Sequence, residues 1–223
     1  MRSARSVLPP VLLSCLLLAG CSSVHVGTST PSSTRSPGAG APGTTPPAGS
    51  GKAIAVGAGP QKKYAVQQQP AAGSCHYRYE HGEPLEDPAC TPGAISPAVT
   101  QQNLRSTICA KGGYTSKVRP STYVTGKEKK ANALAYGFTG SMRDAEYDHL
   151  ISLQLGGDPN DPRNLWVEPA DPGHRKGSGI NNKKDPVETK LHTAVCKGQI
   201  SLAAAQRAIV TDWTTALSSL HLG

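Results

Sequence analysis

Large apolar side chains are scarce in this chain of 223 residues: Phe occurs once, Trp and Met twice each. A core must therefore come from Leu, Ile, Val, Tyr and covalent cross-links. No apolar run reaches the roughly 20 residues that span a bilayer. Acidic residues are missing altogether before Glu80, although the chain holds 15. The formal charge of +8 is thus unevenly spread. Six of the 23 basic residues precede Cys75, which leaves 17 basic against 15 acidic groups beyond it, a net of +2. The basicity belongs mostly to the N-terminal third and is weak ground for a nucleic-acid surface.

Residues 1–20 read as an export signal. Arg2 and Arg5 form a basic start, Val7 to Leu18 is apolar, and Leu18-Ala19-Gly20-Cys21 ends it. That ending resembles the lipobox of bacterial lipoproteins. The resemblance implies that the Cys21 thiol takes a diacylglycerol and anchors the exported chain to the outer face of the cytoplasmic membrane. Residues 21–74 are rich in Ser, Thr, Pro, Gly and Ala and poor in core formers, so they read as a disordered tether. Residues 75–223 form the expected folded domain.

Four cysteines remain there: Cys75, Cys90, Cys109 and Cys196. An even number in an oxidising compartment predicts two disulfides. Of three pairings, loop economy favours Cys75–Cys90 with Cys109–Cys196. A zinc site of all four lacks the short C-x2–4-C spacing.

The expected class is α+β, mainly helical and disulfide-stabilised. Pro97 to Cys109 reads as a helix burying Val99, Leu104 and Ile108. Residues 126–136 read as another, with Leu134 and Ala135 inward and Lys127, Lys129 and Lys130 solvated. Asp185-Pro186-Val187-Glu188 predicts a helix beginning near 186 and running to Cys196. Ser201 caps a last helix carrying Leu202, Ala205, Ile209, Trp213, Ala216 and Leu220 on one face.

The stretch richest in chemistry is Glu146-Tyr147-Asp148-His149-Leu150-Ile151, followed by Gly156-Gly157, Asn164-Leu165-Trp166 and Asn181-Asn182-Lys183-Lys184-Asp185-Pro186-Val187-Glu188. Adjacent strand residues face opposite ways, which lets a carboxylate and an imidazole divide labour. Phosphodiester hydrolysis asks for such a pair: a hard-cation ligand and a base titrating near neutrality. This ordered set resembles the ββα-metal, or His-Me finger, motif of HNH nucleases. The surrounding sequence, from about Ala89 to Trp213, resembles exported bacterial proteins of that type.

The resemblance implies that His149 is the general base and Asp148 a metal ligand. Asn164 would be the middle residue, bonding backbone across the loop. Asn182 would be the third position, with Asn181 and His174 as alternatives because Pro186 leaves Asn182 on the approach loop. Lys183 and Lys184 are candidate phosphate contacts. The implied cofactor is a divalent ion, Mg2+ or Mn2+ ahead of Zn2+. The implied activity is a metal-dependent endonuclease acting on nucleic acid, DNA favoured, outside the cytoplasmic membrane. A non-catalytic cell-surface binding module on the same fold is the rival, favoured by the modest +2.

Overall fold

The computed structural model describes residues 53–178, 180 and 182–223. The expected signal, Cys21, the expected tether as far as residue 52, and Asn181 lie outside them. In chain order the elements are strands β1 (Ala55–Val56), β2 (Arg78–Glu80), β3 (Glu83–Leu85) and β4 (Ala94–Ile95), then helices α1 (Tyr114–Val118) and α2 (Thr122–Ala135). Strands β5 (Glu146–His149) and β6 (Leu165–Glu168) follow, then helices α3 (Lys184–Cys196), α4 (Leu202–Asp212) and α5 (Ala216–Ser219). The class is α+β, with three two-stranded sheets among the described residues: β1 with β4 in parallel, β2 with β3 and β5 with β6 antiparallel.

The main core is aliphatic, as the shortage of Phe requires. Leu85, Ile151, Leu155, Leu191, Ile209 and Trp213 are buried in one cluster that joins α3 and α4 to the loop after β5. Trp213 is a packing residue whose indole N–H donates to the Pro84 carbonyl at 3.0 Å. Cys75 is bonded to Cys90 and Cys109 to Cys196, the pairing that loop economy favours. The four-cysteine zinc alternative falls with it.

The fold begins earlier than the composition suggests. Residues 53–74 belong to the compact unit that runs to Gly223. They dock through polar contacts, which an apolar count does not register. Gly57 N–H donates to the Ile95 carbonyl at 2.9 Å and Gly73 N–H to that of Leu134 at 2.9 Å. Tyr64 donates its hydroxyl to the Val118 carbonyl at 2.6 Å, and Gln67 N–H donates to Glu128 at 2.7 Å. This brings Lys62 and Lys63 into the folded unit, whose balance from residue 53 onward becomes 19 basic against 15 acidic groups.

The helix expected over Pro97–Cys109 does not form. Asn103 accepts Thr100 N–H at 2.8 Å and donates to the Ala98 carbonyl at 3.0 Å, so its side chain takes the groups a helix would use. Only a 3-10 turn, Leu104–Ser106, remains, yet Val99, Leu104 and Ile108 are buried as their spacing predicts. Helix α2 starts four residues early, after Ser121. Ala135 is buried there, but Leu134 is 66 % exposed, and Lys129 turns inward to the carbonyls of Met142 and Ala145. Ser201 caps α4, accepting Ala204 N–H at 3.2 Å. The final helix breaks after Asp212 and resumes at Ala216.

Gly156 and Gly157 are needed for different reasons. Gly156 has φ +73°, a conformation that suits glycine. Gly157 is required by space: a Cβ there would lie 1.7 Å from the Ile151 carbonyl oxygen and 2.8 Å from Asn164 Nδ2. Gly157→Ala is therefore expected to destabilise the fold by about 3 kcal/mol, lowering the thermal midpoint by about 9 °C. An unchanged midpoint in a calorimetric scan would show that the Ile151 loop yields freely.

Candidate functional site

Strand β5 ends at His149, and the ending brings two neighbours to one place. Glu146, Asp148, His149, Asp185 and Glu188 line a cleft of about 220 Å3, with Arg119 at its side. Glu146 and Asp148 share a strand face because they are two residues apart. His149 turns under the loop that follows, where Nε2 lies 3.1 Å from the Pro159 carbonyl. A carbonyl only accepts, so Nε2 carries the hydrogen and Nδ1 keeps its lone pair. Burial pulls the imidazole pKa down to about 4, against the pull of Asp148 and below the near-neutral titration expected of it.

Asn164 holds that loop. It is fully buried, and its Nδ2 donates to the carbonyls of Ile151 and Asp158, both at 3.0 Å. Its Oδ1 accepts Ile151 N–H at 3.0 Å and, more weakly, Ala94 N–H at 3.4 Å. Asp158, on the same loop, accepts the N–H groups of Gly59 (2.6 Å), Asp161 (2.9 Å) and Asn160 (3.0 Å). The docked N-terminal segment, the Gly-Gly turn and the Pro159 carbonyl are thus one hydrogen-bonded piece.

Lys184 lies at the centre of the acidic groups. It is 1 % exposed, and its Nζ donates to Asp148 Oδ2 at 2.5 Å, to the His149 carbonyl at 2.9 Å and to Glu188 Oε1. Burial opposes the ammonium, but Asp148, Glu188 and Glu168 hold its pKa well above the usual lysine value. Burial likewise opposes the Asp148 carboxylate, and Lys184 outweighs it, so this carboxyl titrates below its ordinary range. The other acids go the opposite way. Burial raises Glu146 to about 7, helped by Asp148 and Asp185, and raises Glu188 to about 7 against Lys184. Glu168 is buried next to Asp148, and burial first, then Asp148, pushes its pKa well up.

The expected site residues separate accordingly. Asp148 and His149 meet in the cleft, with Asn164 behind them. Asn182 does not present a free amide. Its Oδ1 accepts Asp185 N–H at 3.0 Å, ending the approach to α3, and its Nδ2 donates to Glu146 Oε2 at 3.1 Å. Helix α3 begins at Lys184, earlier than Pro186 implies, because this side chain satisfies its first turn. His174 pairs with Asp144 at 3.4 Å and lines a neighbouring pocket with Lys183, away from Asp148. Lys183 is paired with Glu83 and Lys184 is buried, so neither cation is offered to a phosphate.

Glu146, Glu168, Glu188 and Arg119 carry roles that sequence reasoning did not assign. The strand alternation Glu146-x-Asp148 is the one signal that points to such a role, for Glu146. Among the described residues, no three Asp, Glu or His ligand atoms of this cleft lie within 4.8 Å of one another. Cys109, His192 and Cys196 do, and that group could hold a metal ion once its disulfide is open.

Comparison with protein-family models, curated proteins and solved structures finds no match. No helix among the described residues is long and apolar enough to cross a membrane.

The imidazole offers a direct check. Its neutral form is favoured in the fold, so the stability it contributes is complete above pH 6.5 and lost as pH falls toward 4. Glu146 and Glu188 act oppositely, so the observable is the ring itself. NMR titration of His149 is expected to give a midpoint near 4 and an Nε2–H tautomer above it. A midpoint near 6.5 would mean that the ring is open to water.

Proposed function

We propose that the chain is an exported, lipid-anchored, metal-dependent endonuclease of the HNH (His-Me finger, ββα-metal) type, hydrolysing phosphodiester bonds of nucleic acid, DNA above all. The observation that carries this reading is the His149 tautomer: Nε2 is spent on the Pro159 carbonyl, which leaves a neutral Nδ1 as the base beside a carboxylate-lined cleft. The order of parts agrees, since the antiparallel β5–β6 pair is followed by a helix whose first residue reaches Asp148.

The chain's own groups then divide the work. Nδ1 of His149 accepts the proton of the attacking water. Lys184 keeps Asp148 ionised, and Asn182 orients Glu146 instead of ligating. Asp148 and Glu146 are the oxygen donors best placed to hold an ion. With no trio of Asp, Glu or His ligands converging here among the described residues, water and phosphate oxygens would have to complete its shell, which suits Mg2+ or Mn2+ better than Zn2+. The ion would neutralise charge on the phosphate and on the departing oxygen.

The chain from Ser50 onward is expected to nick supercoiled plasmid in Mg2+ or Mn2+. His149→Ala should slow this by about 100-fold or more, as loss of a general base does. Equal nicking by the variant would remove His149 from the mechanism. The rival, a non-catalytic binding module at the cell surface, has one observation in its favour: Lys184 already neutralises Asp148 and Glu188. Mn2+ titration of wild type and Asp148→Ala separates the two, because equal binding favours the module. For the anchor, radiolabelled fatty acid is expected on the wild-type chain and absent from Cys21→Ser. Label on both would refute lipidation at Cys21.

A further inference from the structure

The cations expected to meet phosphate are spent within the protein, which raises the question of which cations are free. A cleft of about 530 Å3 lies between the docked N-terminal segment and the stretch from α1 to α2. Lys62 and Lys63 form one wall and Lys117 and Arg119 the other; no carboxylate lines it. All four side chains are exposed, and none is in an ion pair among the described residues. The contrast with Arg78, Arg163, Lys183 and Lys184, each held by an acid, is chemical. Four like charges held together without counter-charge repel one another, and a polyanion relieves that.

The cleft exists because the segment is docked. The Tyr64 hydroxyl on Val118 and the Asn160 amide on the Ala65 carbonyl, at 2.9 Å, hold Lys62 and Lys63 opposite α1. Tyr123 completes the lining. Its ring is 68 % exposed, and Lys127 sits against it, with Nζ 4.2 Å from the ring centroid and 2.7 Å from the hydroxyl. Arg119 also lines the cleft of Asp148 and His149, so the two depressions share a wall.

We propose that this cleft seats one strand of nucleic acid, with phosphates on Lys62, Lys63, Lys117 and Arg119 and a base on Tyr123, and that Arg119 leads the strand toward His149. The substrate class rests on the nuclease reading; the cleft itself rests on its charge and its aromatic ring. Unpaired cations beside an exposed ring are what single-strand binding uses, whereas a duplex keeps its bases stacked away from such a ring.

The test uses the full chain carrying His149→Ala, in EDTA, so that binding is read without cleavage. Fluorescence anisotropy would follow a labelled single-stranded oligonucleotide of about 12 nucleotides, a typical single-strand site size. Lys62→Gln with Lys63→Gln is expected to weaken binding about tenfold and to flatten the log–log salt slope by about 1.4. Tyr123→Ala is expected to weaken it about tenfold with the slope unchanged. Lys190→Gln with Lys197→Gln, a charge-matched pair on exposed positions elsewhere, should change neither.

Unchanged affinity in the Lys62/Lys63 variant, or an equal loss in the control pair, would overturn the proposal. So would equal affinity for a duplex of the same length, or an effect confined to anionic lipid vesicles. The two readings fail separately. Strand binding that depends on Lys62 and Lys63 in a wild-type chain that nicks nothing would sink the nuclease and keep the cleft. Nicking with binding indifferent to these residues would do the reverse.

Discussion

The buried ammonium of Lys184 is the constraint around which the site is arranged. A fully buried charge is tolerated only when it is paired and hydrogen-bonded, and removing one partner of such a pair typically destabilises by about 3–5 kcal/mol. Lys184 meets this demand with Asp148, Glu188 and the His149 carbonyl. Two of those contacts, to Asp148 and the His149 carbonyl, bind the first turn of α3 to the end of β5, and Glu188 lies one turn along α3 itself. The three contacts also bear on which acid is charged. With one cation among Asp148, Glu168 and Glu188, the Asp148 carboxyl is held below its ordinary range while burial raises Glu168 and Glu188. Neighbouring carboxyls thus have their titrations pushed apart, which is the condition for assigning them different roles.

Asn164 provides the second constraint, which is steric as well as polar. Its amide spans the loop from Ile151 to Asp158, and Gly157 has to be without a side chain for that amide to fit. The Pro159 carbonyl that orients His149 lies one residue beyond this clamp. Asp158 extends the same piece to Gly59 in the N-terminal segment. The tautomer of the imidazole and the docking of the segment therefore depend on one loop, and that loop links the carboxylate cleft to the basic one.

How far this was legible in the sequence depends on the kind of contact. Apolar spacing was legible even where the element was not: Val99, Leu104 and Ile108 are buried although Asn103 prevents their helix. The disulfide pairing followed from loop length and the α4 cap from Ser201. The limits of the fold were not legible, because residues 53–74 dock by backbone and amide hydrogen bonds and carry few apolar anchors. Within the site, Asp148, His149 and Asn164 stood out by their order. The placement of Lys184 did not, since a Lys and a Glu four apart in a helix ordinarily read as a solvated surface pair. Asn182 was read as a ligand because its type and position fit, whereas its amide is used to start a helix and to hold Glu146.

Net charge was the least informative sequence property, and the reason is physical. A sum weighs Lys184, locked in the interior, the same as Lys62 at the surface. A polyanion responds only to cations that keep their field in solvent and have no internal partner. Extending the folded unit to residue 53 shifts the balance by just two charges, yet both fall opposite Lys117 and Arg119 in a cleft without acids. Local pairing therefore determines where this protein can meet an anion. The same rule explains why the carboxylate cleft and the basic cleft can stand side by side with Arg119 shared between them: each concentrates one sign of charge, and on the proposed reading a strand held by the second would bring its phosphates to the carboxylates of the first.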